Sequence, residues 1–265
     1  MSRLAARFAQ LRARGEGALI PFLVAGDPQP AASLQLALAV AEAGADVLEL
    51  GVPFSDPLAD GKVNEMAYQR ALEHQVFMPQ VLALAASLRE RSQVPLVLMT
   101  YYNPVLQHGL GRFAAQAAAA GVDGVLITDL PPEEAAPWRQ AAREAGLDTI
   151  FLVAPTSTRR RVEVVAQAAS GFIYCVSRTG VTGVRSRLPR GLGRMIRLAR
   201  RCTHLPLAVG FGLSRPEQVR AVCRLADGAV VGSALVAVAA AAGPQAPQAA
   251  ADFVHALKAA TLPEG

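Results

Sequence analysis

Between residues 48 and 61 the chain reads Leu48-Glu49-Leu50-Gly51-Val52-Pro53-Phe54-Ser55-Asp56-Pro57-Leu58-Ala59-Asp60-Gly61. Glu49 stands inside an apolar run, where an ionised carboxylate is costly unless it is hydrogen-bonded, paired or neutralised by a raised pKa. That is the setting of a general acid or base, and Asp60 is its candidate partner on the following loop. The plain alternative is a solvated Glu ending a strand and an Asp-Gly turn dipeptide.

Three glycine-rich turns lie further on: Gly180-Val181-Thr182-Gly183, Gly210-Phe211-Gly212 and Gly232-Ser233. Glycines let the backbone approach an anion, and helix N-termini aim N–H groups at it. Together, with Ser233 as a donor at a helix start, they suggest a phosphate cradle, although β-to-α turns also carry glycine for geometric reasons. Lys62 and Lys258 are the only lysines, and Lys62 falls in a loop, which argues against a Schiff-base aldolase. His74, His108, His204 and His255 lack metal-ligand spacing, so no metal is expected. What remains is proton transfer that breaks or shifts a bond in a phosphorylated, partly apolar substrate. Phe22, Tyr101, Tyr102, Phe151, Tyr174 and Phe211 either line its apolar part or pack the core.

These groups converge only if the chain brings strand ends together. Apolar stretches beginning at Leu19, Asp46, Pro95, Asp123, Asp148, Phe172, Pro206 and Gly228 read as eight strands, spaced 27, 49, 28, 25, 24, 34 and 22 residues apart. Helical patterns fall between them, at 33–43, 113–120, 133–145, 159–169, 189–200 and 216–225. Alternation at this spacing implies a parallel sheet, and eight units imply a closed (β/α)8 barrel. The interval of 49 has room for an additional helix after strand 2, around 66–72, and Leu4, Phe8 and Leu11 mark an extra N-terminal helix. An open doubly wound sheet is the alternative, but no G-x-G-x-x-G follows the first strand. No linker divides the chain, so residues 1–265 are expected to form a single TIM-barrel domain. Its active site would sit at the C-terminal strand ends, with the phosphate near the last two strands.

Composition narrows the function classes. With 52% hydrophobic and 18% charged residues the chain can fill a large core. Its net charge of +5 is modest, and the arginines, grouped only at Arg159-Arg160-Arg161 and loosely over 185–201, are not interleaved with aromatics, so no nucleic-acid partner is expected. Cys175, Cys202 and Cys223 are odd in number and lack C-x-x-C spacing, as in a reducing compartment. Residues 1–15 carry no signal-peptide apolar run, and the uncharged run 229–243 is too short to span a bilayer. A cytoplasmic protein without a membrane partner is expected.

The residue 48–61 stretch resembles the signature of the tryptophan synthase alpha chain family. Further similar segments are Ile20-Pro21-Phe22-Leu23-Val24-Ala25-Gly26-Asp27-Pro28, Met99-Thr100-Tyr101-Tyr102-Asn103-Pro104, Asp129-Leu130-Pro131-Pro132-Glu133-Glu134 and Ala154-Pro155-Thr156-Ser157. They continue through the three glycine turns to Gly232-Ser233-Ala234-Leu235-Val236, so the resemblance covers essentially the whole chain. It implies a lyase of L-tryptophan biosynthesis that cleaves indole-3-glycerol phosphate to indole and glyceraldehyde 3-phosphate. By that resemblance Glu49 protonates indole C3 and helps form the aldehyde, while Asp60 takes the indole N–H and stabilises the developing positive charge. The substrate-binding set would be Phe22, Tyr101, Tyr174, Thr182, Gly183, Phe211, Gly212, Gly232 and Ser233, with residues 180–190 as a lid. Asp56 and Pro57 would face a beta chain in an alpha2beta2 heterotetramer. The alpha chain would use no cofactor, pyridoxal phosphate residing on the beta partner. A stand-alone lyase and a catalytically weak barrel acting as an allosteric partner are the alternatives. The chain departs from the family where a proline and then apolar residues usually follow Asp60-Gly61: here Lys62-Val63-Asn64-Glu65 stands.

Overall fold

The computed structural model describes residues 2–176, 191–210 and 212–263. Helix α1 (Arg3–Ala13) precedes β1 (Ala18–Val24), α2 (Pro30–Glu42) and β2 (Leu48–Gly51). Two helices follow, α3 (Lys62–Glu73) and α4 (Met78–Arg91), before β3 (Leu96–Thr100). Next come α5 (Tyr102–His108), α6 (Leu110–Ala119), β4 (Gly124–Ile127), α7 (Ala136–Glu144), β5 (Asp148–Val153), α8 (Arg159–Ala168) and β6 (Ile173–Val176). The chain ends through α9 (Leu192–Cys202), β7 (Leu207–Gly210), α10 (Pro216–Cys223), β8 (Gly228–Val231), α11 (Ser233–Ala242) and α12 (Ala246–Lys258). The eight strands pair in parallel and in chain order, and β8 pairs β1 to close the barrel. Among the described residues no helix is long and apolar enough to cross a membrane.

Local differences from the sequence reading have local causes. Residues 102–108, ahead of the helical pattern at 113–120, form α5, whose first turn accepts Pro104 because the missing N–H is harmless there. Pro137 likewise confines α7 to start at Ala136 rather than 133. The long interval after β2 holds the additional helix expected around 66–72, as α3, followed by α4.

The N-terminal end of the barrel shows how register is held. Gly44-Ala45-Asp46 and Gly121-Val122-Asp123 each end a helix with a glycine at positive φ and then place an aspartate against the neighbouring strand. Asp46 Oδ2 accepts from the Leu19 backbone N–H at 2.6 Å, and Asp123 Oδ2 from Leu96 at 2.8 Å. Asp227 repeats the contact with Leu207 at 2.7 Å. Each carboxylate also meets cations: Arg7 and Lys258 at Asp46, Arg3 and Arg89 at Asp123, Arg200 at Asp227. Leu4, Phe8 and Leu11 of α1 are buried across this end, Phe8 packing on Phe172 with ring centroids 5.7 Å apart.

Asp46 is wholly buried, so Asp46→Ala leaves Arg7 without its anion, Lys258 with only Glu16 at 3.8 Å, and the Leu19 N–H without its acceptor. Removing one member of a buried ion pair costs about 3–5 kcal/mol, and the partial exposure of both cations puts the expected loss at the lower end, about 3 kcal/mol. Denaturant unfolding checks it: the midpoint falls at unchanged slope, and an unchanged midpoint would contradict the role of this rim.

Candidate active site

At the opposite end, strand alternation decides which side chains face inward. Phe22 pairs with Glu49 across β1 and β2, and Glu49 with Val97 across β2 and β3. Glu49 and Gly51 are two apart and share a face, and the glycine is a steric necessity. A Cβ on Gly51 would lie 2.6 Å from Phe22 Cζ and 3.1 Å from the Tyr68 hydroxyl. Gly210 plays the same part for Tyr174, whose ring and hydroxyl occupy the space a side chain there would need.

Glu49 is buried as the second of the four residues of β2 rather than at its end, and its Oε1 has no hydrogen-bond partner among the described residues. Burial, reinforced by the nearby Asp60 charge, pushes its carboxyl up to about 8. Glu49 therefore holds its proton at neutral pH and can donate it.

Asp60 is buried on the loop that leads into α3. Its Oδ1 accepts from Asn64 Nδ2 at 2.9 Å and its Oδ2 from the Tyr101 hydroxyl at 2.6 Å. Burial raises the Asp60 pKa, and these donors pull the other way by favouring the ionised form. The buried Tyr68 hydroxyl faces the same carboxylate but makes no hydrogen bond of ordinary geometry among the described residues. Tyr101 also accepts from the Ala59 backbone N–H at 3.1 Å and stacks on Phe54, centroids 5.0 Å apart. One tyrosine thus ties Asp60 to the loop that carries Asp56 and Pro57.

A single pocket joins these groups to the far side of the barrel mouth. Phe22, Glu49, Asp60 and Tyr174 line it together with Gly212, Gly232 and Ser233. Ser233 opens α11 with Gly232 as its N-cap, so unpaired N–H groups of that helix are available to an anion. Gly61, Asn64, Met99 and Val230 complete the lining. Of these, Asn64 had a readable signal, a polar residue four positions after Asp60 at a helix start, that the sequence reading did not use. Thr182, Gly183 and Phe211, with the expected lid at 180–190, lie outside the described residues. Asp56 is exposed, Pro57 half-buried, and neither lines the pocket. Among the described residues no three His, Cys, Asp or Glu side chains gather as a metal site.

A sequence profile of the tryptophan synthase alpha chain family matches residues 8–261. The chain is 54% identical to the tryptophan synthase alpha chain of Roseiflexus castenholzii over 239 residues, covering 90% of this chain and 92% of that one. It is 51% identical to that of Geobacter sulfurreducens over 236 residues, 89% of each chain. Among solved structures, Mycobacterium tuberculosis tryptophan synthase superposes with a TM-score of 0.92 at 36% identity, covering 99% of both chains. The alpha subunit of the Legionella pneumophila enzyme gives 0.90 at 34% identity, covering 98% of both.

The raised Glu49 carboxyl has a consequence for stability. The unfolded chain releases this proton near 4.5 and the folded chain near 8, so the folded state is increasingly penalised as pH rises between those values. Wild-type stability measured against Glu49→Gln therefore falls across that window and is level on either side. Urea midpoints of both proteins at about pH 4, 6 and 9 check this, and a difference constant with pH would contradict it.

Proposed function

The chain belongs to the tryptophan synthase alpha chain family, lyases that cleave indole-3-glycerol phosphate, and we propose that Glu49 and Asp60 carry that chemistry here. It is the alpha-chain lyase of tryptophan biosynthesis, a role its relatives favour over a free-standing lyase or a catalytically weak barrel. The observation that supports the residue roles is the pairing in one pocket of a carboxyl held neutral to about pH 8 and a carboxylate held by donors.

Neutral Glu49 gives its proton to indole C3, which leaves positive charge on the ring nitrogen. Asp60 stabilises that charge, an electrostatic contribution concentrated in the transition state. The bond between C3 and the glycerol carbon then breaks and its electron pair restores the indole ring. Ionised Glu49 recovers a proton from the hydroxyl on the departing carbon, which becomes the aldehyde of glyceraldehyde 3-phosphate. No net proton is lost from the enzyme. Phe22 flanks the ring, Tyr174 supports Glu49 and the substrate, and the start of α11 with Gly212, Gly232 and Ser233 holds the phosphate.

The family needs no cofactor of its own, and in this reading pyridoxal phosphate belongs to the beta chain. The surface that supports a beta partner lies beside the catalytic loop. There Leu58 is 95% exposed, and Phe54, Phe77, Met78, Pro79 and Pro104 line an apolar groove. Asp56 and Pro57 face that partner, in an alpha2beta2 assembly without nucleic acid. Lys62, the residue at the family's proline position, starts α3 from an exposed site and pairs with Glu65 at 3.5 Å, so it leaves the catalytic groups untouched. One continuous core supports a single domain over residues 1–265. Three free thiols support a cytoplasmic location.

Indole release from indole-3-glycerol phosphate, by the chain alone and with a beta chain, tests this reading. Slow release that rises steeply with the partner is expected, and no release in either case would overturn it. Glu49→Gln and Asp60→Asn are each expected to slow turnover by about 10²–10⁴-fold, the scale of acid–base and electrostatic contributions, with folding retained. Normal turnover in either variant would remove that residue from the mechanism. Ser233→Ala is expected to weaken substrate affinity by about 1–2 kcal/mol at nearly constant kcat, and unchanged affinity would remove Ser233 from the phosphate site.

A further inference from the structure

Asn64 stands in the pocket as a half-used amide. It lies in the first turn of α3, four residues after Asp60, and its Nδ2 donates to Asp60 Oδ1 at 2.9 Å. Its Oδ1 is buried and accepts nothing among the described residues. The orientation is dictated by charge, because turning the amide over would set its carbonyl oxygen against the carboxylate. A buried acceptor without a donor costs about 1–3 kcal/mol, which a ligand donor relieves.

The donors already committed to Asp60 make this acceptor significant. Both Asp60 oxygens accept a hydrogen bond, one from Asn64 and one from Tyr101. A ring N–H reaching this corner must share one of those oxygens or find another acceptor. Asn64 lines the pocket beside Asp60, together with Phe22 and Tyr174. Ser233 and Gly232 also line the pocket, and the phosphate end of the substrate is assigned to them.

We propose that Asn64 is a specificity residue that reads the ring nitrogen: its side-chain carbonyl accepts the indole N–H while its amide holds Asp60. The proposal rests on the indole-3-glycerol phosphate reading above and deepens it. It gives the ring nitrogen a neutral acceptor that persists whatever the protonation state of Asp60. A ring of the same shape with no N–H leaves that acceptor unpaired and is discriminated against.

The test uses two non-cleavable ligands that differ only at the ring atom, 3-(indol-3-yl)propyl phosphate and 3-(benzofuran-3-yl)propyl phosphate. Their dissociation constants are measured by calorimetry on the wild-type chain, Asn64→Leu, Asp60→Ala and the Asp60→Ala/Asn64→Leu double variant, with thermal melts to verify folding. The wild-type chain is expected to prefer the indole ligand by about 10-fold or more, the scale of one or two hydrogen bonds. Asp60→Ala keeps a preference of several-fold, and the double variant brings the ratio to within about 2-fold. The Asp60→Ala background separates reading the ring from merely propping Asp60, since a prop has nothing left to hold there. Equal ratios in Asp60→Ala and the double variant would overturn the proposal, as would an Asn64→Leu ratio equal to wild type. Wild-type protein that binds neither ligand and releases no indole would overturn the functional reading itself, and this inference with it.

Discussion

A carboxyl group enclosed by the barrel wall, with an oxygen that finds no partner among the described residues, is the constraint around which the mouth is built. Glu49 keeps its proton because water is kept from it, and water is kept from it because aromatic side chains close the space. Those aromatics fit only where a neighbouring strand gives up its side chain. Gly51 makes room for Phe22 and Tyr68, and Gly210 for Tyr174. The register that sets Phe22 beside Glu49 is therefore part of the acid's pKa. A slip by one residue would turn Glu49 to the helix layer and bring an apolar neighbour inward.

The two ends of the barrel treat buried carboxylates in opposite ways. At the N-terminal rim Asp46 and Asp123 each face two cations and a backbone N–H. There the charge is compensated, and the carboxylates fasten strand to strand. At the mouth, neither Glu49 nor Asp60 is ion-paired among the described residues. Asp60 is supported by neutral donors, while Glu49 is left to neutralise itself. Uncompensated burial costs stability and creates reactivity, so the compensated end holds the scaffold against which the reactive end is kept. Tyr101 adds a mechanical link, since it binds Asp60 by its hydroxyl and stacks on Phe54 of the loop that carries Asp56 and Pro57. A displacement of that loop is transmitted to Asp60, the carboxylate proposed to stabilise charge on the ring nitrogen.

Most of this was legible in the residues. Strand spacing and the alternation of strands with helical patterns implied the closed barrel. Glu49 was visible because a carboxylate in an apolar run has few stable explanations. Asp60, Tyr174, Gly232 and Ser233 could be placed at the same mouth because the fold fixes which strand ends converge. Less legible were the partners within the site. The Tyr101 hydroxyl meets Asp60 across 41 residues of sequence, a distance at which spacing carries no signal. Asn64 was read only as part of a departure in the loop, because its significance depends on the turn of α3 that aims it at Asp60. Proline governed the boundaries that were misjudged, at α5 and α7, where a first-turn position is compatible with helix but a sequence pattern reads as loop or as interior.

Everything at this mouth turns on Glu49 being a neutral acid at physiological pH. Carbon-13 NMR of the protein labelled at glutamate side-chain carboxyls, with the Glu49 resonance assigned by its loss in Glu49→Gln, measures that proton directly. A titration midpoint near 8, well separated from the other glutamates, is expected. A Glu49 resonance that titrates near 4.5 would contradict it.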